Sequence, residues 1–182
     1  MKYTLTLCLA LCLFAATGFA QAPPPSANAV LKEASAKAAR EHKKVFIIFH
    51  ASWCGWCHRM DSIMNNADCK KLFTDNFVIR HLVVLEAKDK KQLENPGGME
   101  LMEKYHGKGM GIPFWLIFDA QGKLLADGLI RAEGVGLDQT GENSGCPATK
   151  EEVAHFVKVL KQTSSLNAGQ LAVIEKNFIK KD

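Results

Sequence analysis

The chain has 182 residues, with 23 Lys and Arg against 19 Asp and Glu, which gives a formal net charge of +4. The basic residues are scattered, and the densest cluster, residues 88–91, is offset by neighbouring acids. A nucleic-acid-binding stripe is therefore not expected. The length after removal of a leader suits one domain with a single core.

The N-terminus has the pattern of a secretory signal peptide. Lys2 supplies a positive charge, residues 5–16 are almost continuously apolar, and small residues follow up to Ala20 and Ala22. This run is too short for a stable membrane span, although an uncleaved anchor is the alternative. We expect residues 1–22 to be a signal peptide, cleaved near Ala20 or Ala22. Residues 23–182 would then form one exported domain, periplasmic or secreted, with no stable membrane insertion.

The pattern of apolar and turn-forming residues predicts an alternation of helices and strands. In chain order we expect a helix over 26–42, a strand over 45–49, a helix starting at the cysteine pair, a short helix from Asp68 to near Phe73, a strand over 77–85, a helix over 99–105, strands over 114–118 and 124–127 joined by a tight turn, and helices over 151–163 and 168–180. Residues 131–149 show no periodicity. This order indicates an α/β fold with a mixed central sheet and helices on both faces.

The segment "FHASWCGWCHRMD" (residues 49–61) places Cys54 and Cys57 directly after a buried strand and at the start of a helix. Unpaired N–H groups and the helix dipole favour a thiolate at such a position. We expect Cys54 to be the exposed nucleophile and Cys57 to be the more buried resolving thiol. His58 and Arg59 add positive charge that would modulate the thiol pKa. Such a pair can exchange disulfides with a substrate.

Two other chemistries fit the same letters. Cys54-Gly55-Trp56-Cys57-His58 matches the c-type haem attachment pattern, but the β-rich runs on both sides are unlike a small helical cytochrome. The two cysteines with His50 or His58 could instead bind copper or zinc as soft ligands. Because the redox interpretation explains the strand and helix around the pair, we expect no cofactor and no metal.

The motifs "FHASWCGWC" and "GIPFWLIFDAQG" make the chain resemble the thioredoxin superfamily over roughly residues 43–130. Within this superfamily it resembles exported thioredoxin-like domains, including the C-terminal domain of the transmembrane thiol–disulfide interchange reductase, more than thioredoxin itself. The resemblance implies a thioredoxin fold with extra terminal helices. It also implies a cis peptide before Pro113, and backbone groups of Ile112 offered to a bound substrate strand.

An apolar rim for substrate would then consist of Trp53, Trp56, Ile112, Pro113 and Phe114. The resemblance implies a thiol–disulfide oxidoreductase, acting as a monomer on disulfide-containing proteins and on a partner redox protein.

Two positions depart from the thioredoxin pattern. Ile48 stands where thioredoxin buries an aspartate, so proton transfer would fall to water, to His50 or His58, or to an acid such as Glu86. Trp56 stands where thioredoxin has proline, which affects the redox potential. The resemblance favours reduction or isomerisation of disulfides over net oxidation, whereas a thiolate stabilised by His58 would make the protein more oxidising.

The two remaining cysteines of the exported domain are Cys69 and Cys146. Residues 131–149 form a long connection without predicted structure, which is uncommon unless the segment is tethered or functional. We expect a structural disulfide between Cys69 and Cys146, which would typically add about 2–4 kcal/mol. A second redox pair or two free thiols are the alternatives.

Overall fold

The computed structural model describes residues 22–180. The predicted signal peptide lies outside these residues except for its last position. The helices are α1 (Ala27–Glu41), α2 (Gly55–Met64), α3 (Lys70–Asn76), α4 (Gly98–Lys104), α5 (Lys150–Thr163) and α6 (Ala168–Phe178). The strands are β1 (Lys44–His50), β2 (Phe77–Val83), β3 (Phe114–Phe118), β4 (Leu124–Asp127), β5 (Leu129–Ile130) and β6 (Glu142–Asn143). A 3₁₀ helix covers Lys88–Leu93.

A four-stranded mixed sheet in the order β2-β1-β3-β4 lies at the centre. Strand β1 runs parallel to β2 and antiparallel to β3, and β4 pairs antiparallel with β3. Strand β1 is central because its five inner residues are apolar and are buried on both faces of the sheet. The predicted mixed sheet is confirmed.

Helices cover both faces of this sheet, as the sequence predicts. Alternate side chains of β1 enter two separate cores, because successive residues of a strand point to opposite faces. Phe46 and Ile48 pack with residues of α2, α3, α5 and α6. Val45, Ile47 and Phe49 pack with residues of α1 and α4. The cysteine-bearing helix α2 therefore lies on the same face as the two C-terminal helices.

Several bounds differ from the sequence prediction: β2 ends at Val83, the 3₁₀ helix was not predicted, and α6 ends at Phe178. Two further differences have local reasons. Helix α3 begins at Lys70 instead of near Asp68, because the side-chain oxygen of Asn66 accepts the backbone N–H groups of Asp68 and Cys69. The connection after β4 contains the short hairpin of β5 and β6. No periodicity could have predicted two strands of two residues each.

Buried polar side chains fix the base of this connection. The carboxylate of Asp127 accepts two hydrogen bonds of 2.8 Å from the guanidinium of Arg131 and one of 3.0 Å from the N–H of Leu129. Both charged side chains are buried.

Among the helices of residues 22–180, none is long and apolar enough to cross a membrane.

Candidate active site

Cys54 and Cys57 form a disulfide at the start of α2, with 5.2 Å between their Cα atoms. Cys54 is the N-cap of the helix, and its sulfur accepts the N–H of Cys57 at 3.1 Å. The pair thus lies where the helix dipole favours negative charge on Cys54. Only 3 % of Cys54 and 1 % of Cys57 is exposed to solvent. The expectation that Cys54 would be exposed is therefore wrong, because Ala51 and Ile112 cover the pair.

The loop before β3 faces the disulfide. The Ile112–Pro113 peptide bond is cis, as the family resemblance implies. The carbonyl oxygen of Ile112 lies 3.5 Å from the Cys54 sulfur. Residues 112 and 113, far from the cysteines in the chain, are thus brought against them because β3 pairs with β1.

Of the predicted rim, the two tryptophans are the exposed members. Trp53 is 59 % and Trp56 is 50 % exposed, in spite of their apolar rings. The indole N–H of Trp53 donates to the Leu85 carbonyl at 2.8 Å. Phe114 is completely buried and packs against Phe49, so its assignment to a substrate-binding rim is wrong. Phe114 is the first residue of β3, and its side chain packs in the core that β1 forms with α1.

Four residues hold the loop before Cys54, and we call them the Glu86 clamp: Ser52, Trp53, Leu85 and Glu86. The two carboxylate oxygens of Glu86 accept the backbone N–H of Ser52 at 2.6 Å and its hydroxyl at 2.9 Å. Burial alone would raise the pKa of Glu86, but the hydrogen bonds from Ser52 and Ala87, together with the charge of Lys90, outweigh it and hold the pKa below its usual value. Glu86 is therefore a fixed anion that positions the loop. From the sequence, Glu86 is expected only as a possible proton acceptor. No sequence motif indicates its hydrogen bonds with Ser52.

Ile48 lies buried in the core, so the position of the missing aspartate is apolar. His50, two residues further along β1, has its ring centroid 4.9 Å from that of His81. The Nε2 atom of His81 lies 2.8 Å from the carboxylate of Asp61 on α2. Burial, together with His81, lowers the pKa of His50. A neutral imidazole at pH 7 can accept a proton, and His50 remains a predicted acceptor.

The two cationic residues after Cys57 have different partners. The Nε2 atom of His58 lies 2.9 Å from the Ser52 carbonyl oxygen. The guanidinium of Arg59 donates to Cys146 Sγ at 3.0 Å, to the Pro147 carbonyl at 3.1 Å and to the Phe178 carbonyl at 2.6 Å. Arg59 thus connects the active-site helix to the C-terminal part of the chain. Its predicted effect on the pKa of the active cysteines remains a prediction.

Cys69 and Cys146 are buried free thiols, so the predicted structural disulfide between them is wrong. Burial raises the pKa of the Cys69 thiol to about 11 and also raises the pKa of Cys146, where Arg59 offsets only part of the effect. Both thiols are poor nucleophiles for that reason. Polar contacts hold the long connection of residues 131–149 instead. The side-chain amide of Asn143 donates to the Gly111 carbonyl at 2.8 Å, and the Trp115 indole N–H donates to the Gly145 carbonyl at 3.0 Å.

A groove of about 610 Å³ lies beside the disulfide. Trp56, Ile112 and Pro113 form one side. We call residues 143–149 and 178–180 the wall. Residues 143–146, 148, 149, 179 and 180 of the wall, together with Lys150 and Glu152, supply the other side. Nothing in the sequence indicated this wall, because its contacts come from an aperiodic loop and from the end of the last helix.

Within residues 22–180, no group of three or more His, Cys, Asp or Glu side chains could hold a metal ion.

Comparison with protein-family models matches residues 27–120 to the thioredoxin-like family, which is more than half of the chain. The chain belongs to this family. It has a thioredoxin-like disulfide oxidoreductase fold with a Cys54–Cys57 disulfide, so the predicted fold, family and enzyme class are confirmed.

Three solved structures are among those similar to the chain. A disulphide isomerase from Xylella fastidiosa Temecula1 is 26% identical, with a TM-score of 0.45, over 56% of this chain and 72% of that one. The DsbH oxidoreductase is 23% identical, with a TM-score of 0.43, over 76% and 83%. The oxidised C-terminal domain of DsbD from Neisseria meningitidis is 18% identical, with a TM-score of 0.43, over 77% and 98%. None of the curated proteins compared with the chain matches it.

Proposed function

We propose that the protein is an exported thiol–disulfide oxidoreductase that reduces or isomerises disulfides in other proteins. The observation that carries the proposal is the Cys54–Cys57 disulfide at a helix N-terminus, facing the Ile112–Pro113 cis peptide. Trp53, Trp56, Ile112 and Pro113 surround the pair and would contact the substrate backbone. A partner redox protein would supply electrons, and the protein would act as a monomer.

In the reaction, the Cys54 thiolate attacks one sulfur of a substrate disulfide and forms a mixed disulfide, releasing the other substrate sulfur as a thiolate. Cys57 then attacks the Cys54 sulfur, which breaks the mixed disulfide and releases the second substrate thiolate. Two electrons and the two thiol protons of the reduced enzyme pass to the substrate. The protein is left in the disulfide form that the structure describes, and a partner dithiol restores the reduced form.

The proposed export rests on the predicted signal peptide, residues 1–22. The mass of the mature protein should correspond to cleavage near Ala20 or Ala22.

The deciding experiment combines a Cys57→Ala variant with a reduction-potential measurement. Without the resolving thiol, Cys54 should remain joined to its substrates, so mixed disulfides should accumulate and should disappear with added reductant. A Cys54→Ala variant should trap nothing. If Cys57→Ala also traps nothing in the native compartment, the enzymatic proposal fails. A potential of about −120 mV, typical of a strong oxidant, would contradict reduction as the direction of the reaction.

A further inference from the structure

We propose that the groove beside the disulfide selects substrates that carry a carboxylate side chain close to the cysteine under attack. The carboxylate would bind at the N-terminus of α5, next to Lys150. This inference rests on the proposed function, since it concerns which disulfides reach Cys54. It assigns a specificity role to a part of the chain beyond the matched family region, which ends at residue 120.

The position of the groove makes it a substrate subsite. Trp56, which separates the two cysteines in sequence, and Ile112, whose carbonyl lies 3.5 Å from Cys54 Sγ, both line it. A chain segment that presents a disulfide to Cys54 would therefore have its neighbouring side chains beside this groove. A volume of about 610 Å³ is within the range of ligand-binding clefts.

The opposite side of the groove has unsatisfied hydrogen-bonding groups. At the start of α5, the hydroxyl of Thr149 accepts the N–H of Glu152, and the Glu152 carboxylate accepts the N–H groups of Ala148 and Thr149. The next two N–H groups, those of Lys150 and Glu151, donate to no described residue, and of these two residues Lys150 lines the groove. A free helix N-terminus of this kind favours an anion.

A separate observation supports a ligand in the same groove. Ser144 lines the groove and is buried, yet its hydroxyl oxygen has no hydrogen-bond partner among the described residues. Buried hydroxyl groups are normally paired, so an unpaired one in a groove wall indicates a missing polar partner. A carboxylate oxygen can accept the hydroxyl hydrogen.

The charges that line the groove also favour an acidic segment. Lys150 and Lys180 line it, and neither forms an ion pair with a described carboxylate. Glu152 is the sole acid among the described residues that line the groove, and both of its hydrogen bonds close the cap of α5. Glu151, the other acid in the first turn, does not line the groove. Among the described residues that line the groove, two lysines and one glutamate therefore give a positive net charge.

The test uses short disulfide-cyclised peptides that differ at one position next to a cysteine, where they carry Glu, Gln or Lys. The reduced protein should reduce the Glu peptide most efficiently and the Lys peptide least, mainly through KM. In Lys150→Glu the preference should shrink by about threefold to tenfold, as expected when the sign of one side-chain charge is reversed at a helix N-terminus. Glu at the first helical position is compatible with folding, because an acid there favours the helix dipole.

Lys123→Glu is the matched control. It makes the same charge change at an exposed site in the turn that follows β3, at the end of the strand opposite Pro113. It should leave the preference unchanged. Equal effects of the two variants would show a general charge effect and overturn the inference, as would equal rates on the three peptides.

Reduction of the uncharged 2-hydroxyethyl disulfide separates this inference from the proposed function. The original protein and the Lys123→Glu control should reduce it at the same rate. If the original protein does not reduce it, the proposed function fails. If the protein reduces it but shows no charge preference among the peptides, the specificity inference alone fails.

Discussion

The two sides of the Cys54–Cys57 pair are held by different kinds of contact. On one side, the Glu86 clamp binds the loop before Cys54 through a buried carboxylate and a tryptophan indole. On the other side, the wall is held by side chains that donate to backbone carbonyls: Arg59 to residues 147 and 178, and Asn143 to Gly111. The clamp fixes the position of the nucleophile. The wall shapes the space through which a substrate approaches it.

We therefore expect the clamp to affect catalysis and the wall to affect substrate recognition. The clamp involves residues 52–53 and 85–86, inside the matched family region. The wall is built from residues beyond position 120. A change in the wall should therefore alter which substrates react, and a change in the clamp should alter how well any substrate reacts.

The largest effect is expected at the base of the connection that carries the wall. In Asp127→Ala, the buried guanidinium of Arg131 loses its only carboxylate partner among the described ion pairs. We expect the free energy of unfolding to fall by about 3–5 kcal/mol, because an unpaired buried charge is costly. Urea unfolding of the variant measures this loss.

Glu33→Ala is the matched control, since Glu33 also makes two hydrogen bonds to one arginine, Arg80, but on the surface. This variant should lose no more than about 1 kcal/mol. Similar losses in the two variants would mean that the Asp127–Arg131 pair does not hold the connection.

An intermediate effect is expected in the Glu86 clamp. Glu86→Ala removes the acceptor for two donors of Ser52 and should lower the free energy of unfolding by about 1.5–3 kcal/mol, the usual contribution of hydrogen bonds to a charged group. The rate of disulfide exchange should fall with every substrate, charged or not. Ser52→Ala removes only the hydroxyl donor and should have a smaller effect on both measurements.

The pH dependence sharpens this test. Because the folded-state pKa of Glu86 lies below the ordinary value of 4.5, the unfolded chain takes up the proton first as the pH falls. The stability that Glu86 contributes is complete above its unfolded pKa and is lost as the pH falls through the folded one. The difference between the original protein and Glu86→Ala should therefore shrink on acidification below pH 4.5. A constant difference would exclude an ionised Glu86 as the origin of the stabilisation.

The smallest effect is expected for the two buried thiols. Native alkylation without reductant should label neither Cys69 nor Cys146, because burial raises the pKa of both. After unfolding without reductant, both should be labelled in peptide mapping by mass spectrometry. A peptide in which the two remain joined would show that a covalent bridge holds the wall, and the contrast between the two sides would fail. Cys69→Ser should retain disulfide exchange at nearly the original rate.

The strands and the cysteine pair could be predicted because their signals are local. The continuous apolar run of β1 and the tight turn between β3 and β4 specify those elements almost to the residue. The Glu86 clamp and the wall depend on tertiary contacts between distant segments, such as Ser52 with Glu86 or Arg59 with Phe178. No periodicity encodes such contacts. Loop length alone suggested a disulfide at Cys146, whereas the loop is held by an arginine, an asparagine and a tryptophan.

The extent of the wall has a consequence for how such a protein can diversify. Residues 27–120 contain both cysteines and the cis-proline, and residues 143–180 contain the wall with Lys150 and Lys180, so the chemistry and the proposed charge preference occupy consecutive stretches of one chain. Substitutions in residues 143–180 can change the substrate preference without changing the residues that carry out disulfide exchange. If residues 143–180 were exchanged between two related proteins, the substrate preference should be transferred with them. The exchange also requires Arg59, because its side chain donates to the carbonyls of residues 147 and 178.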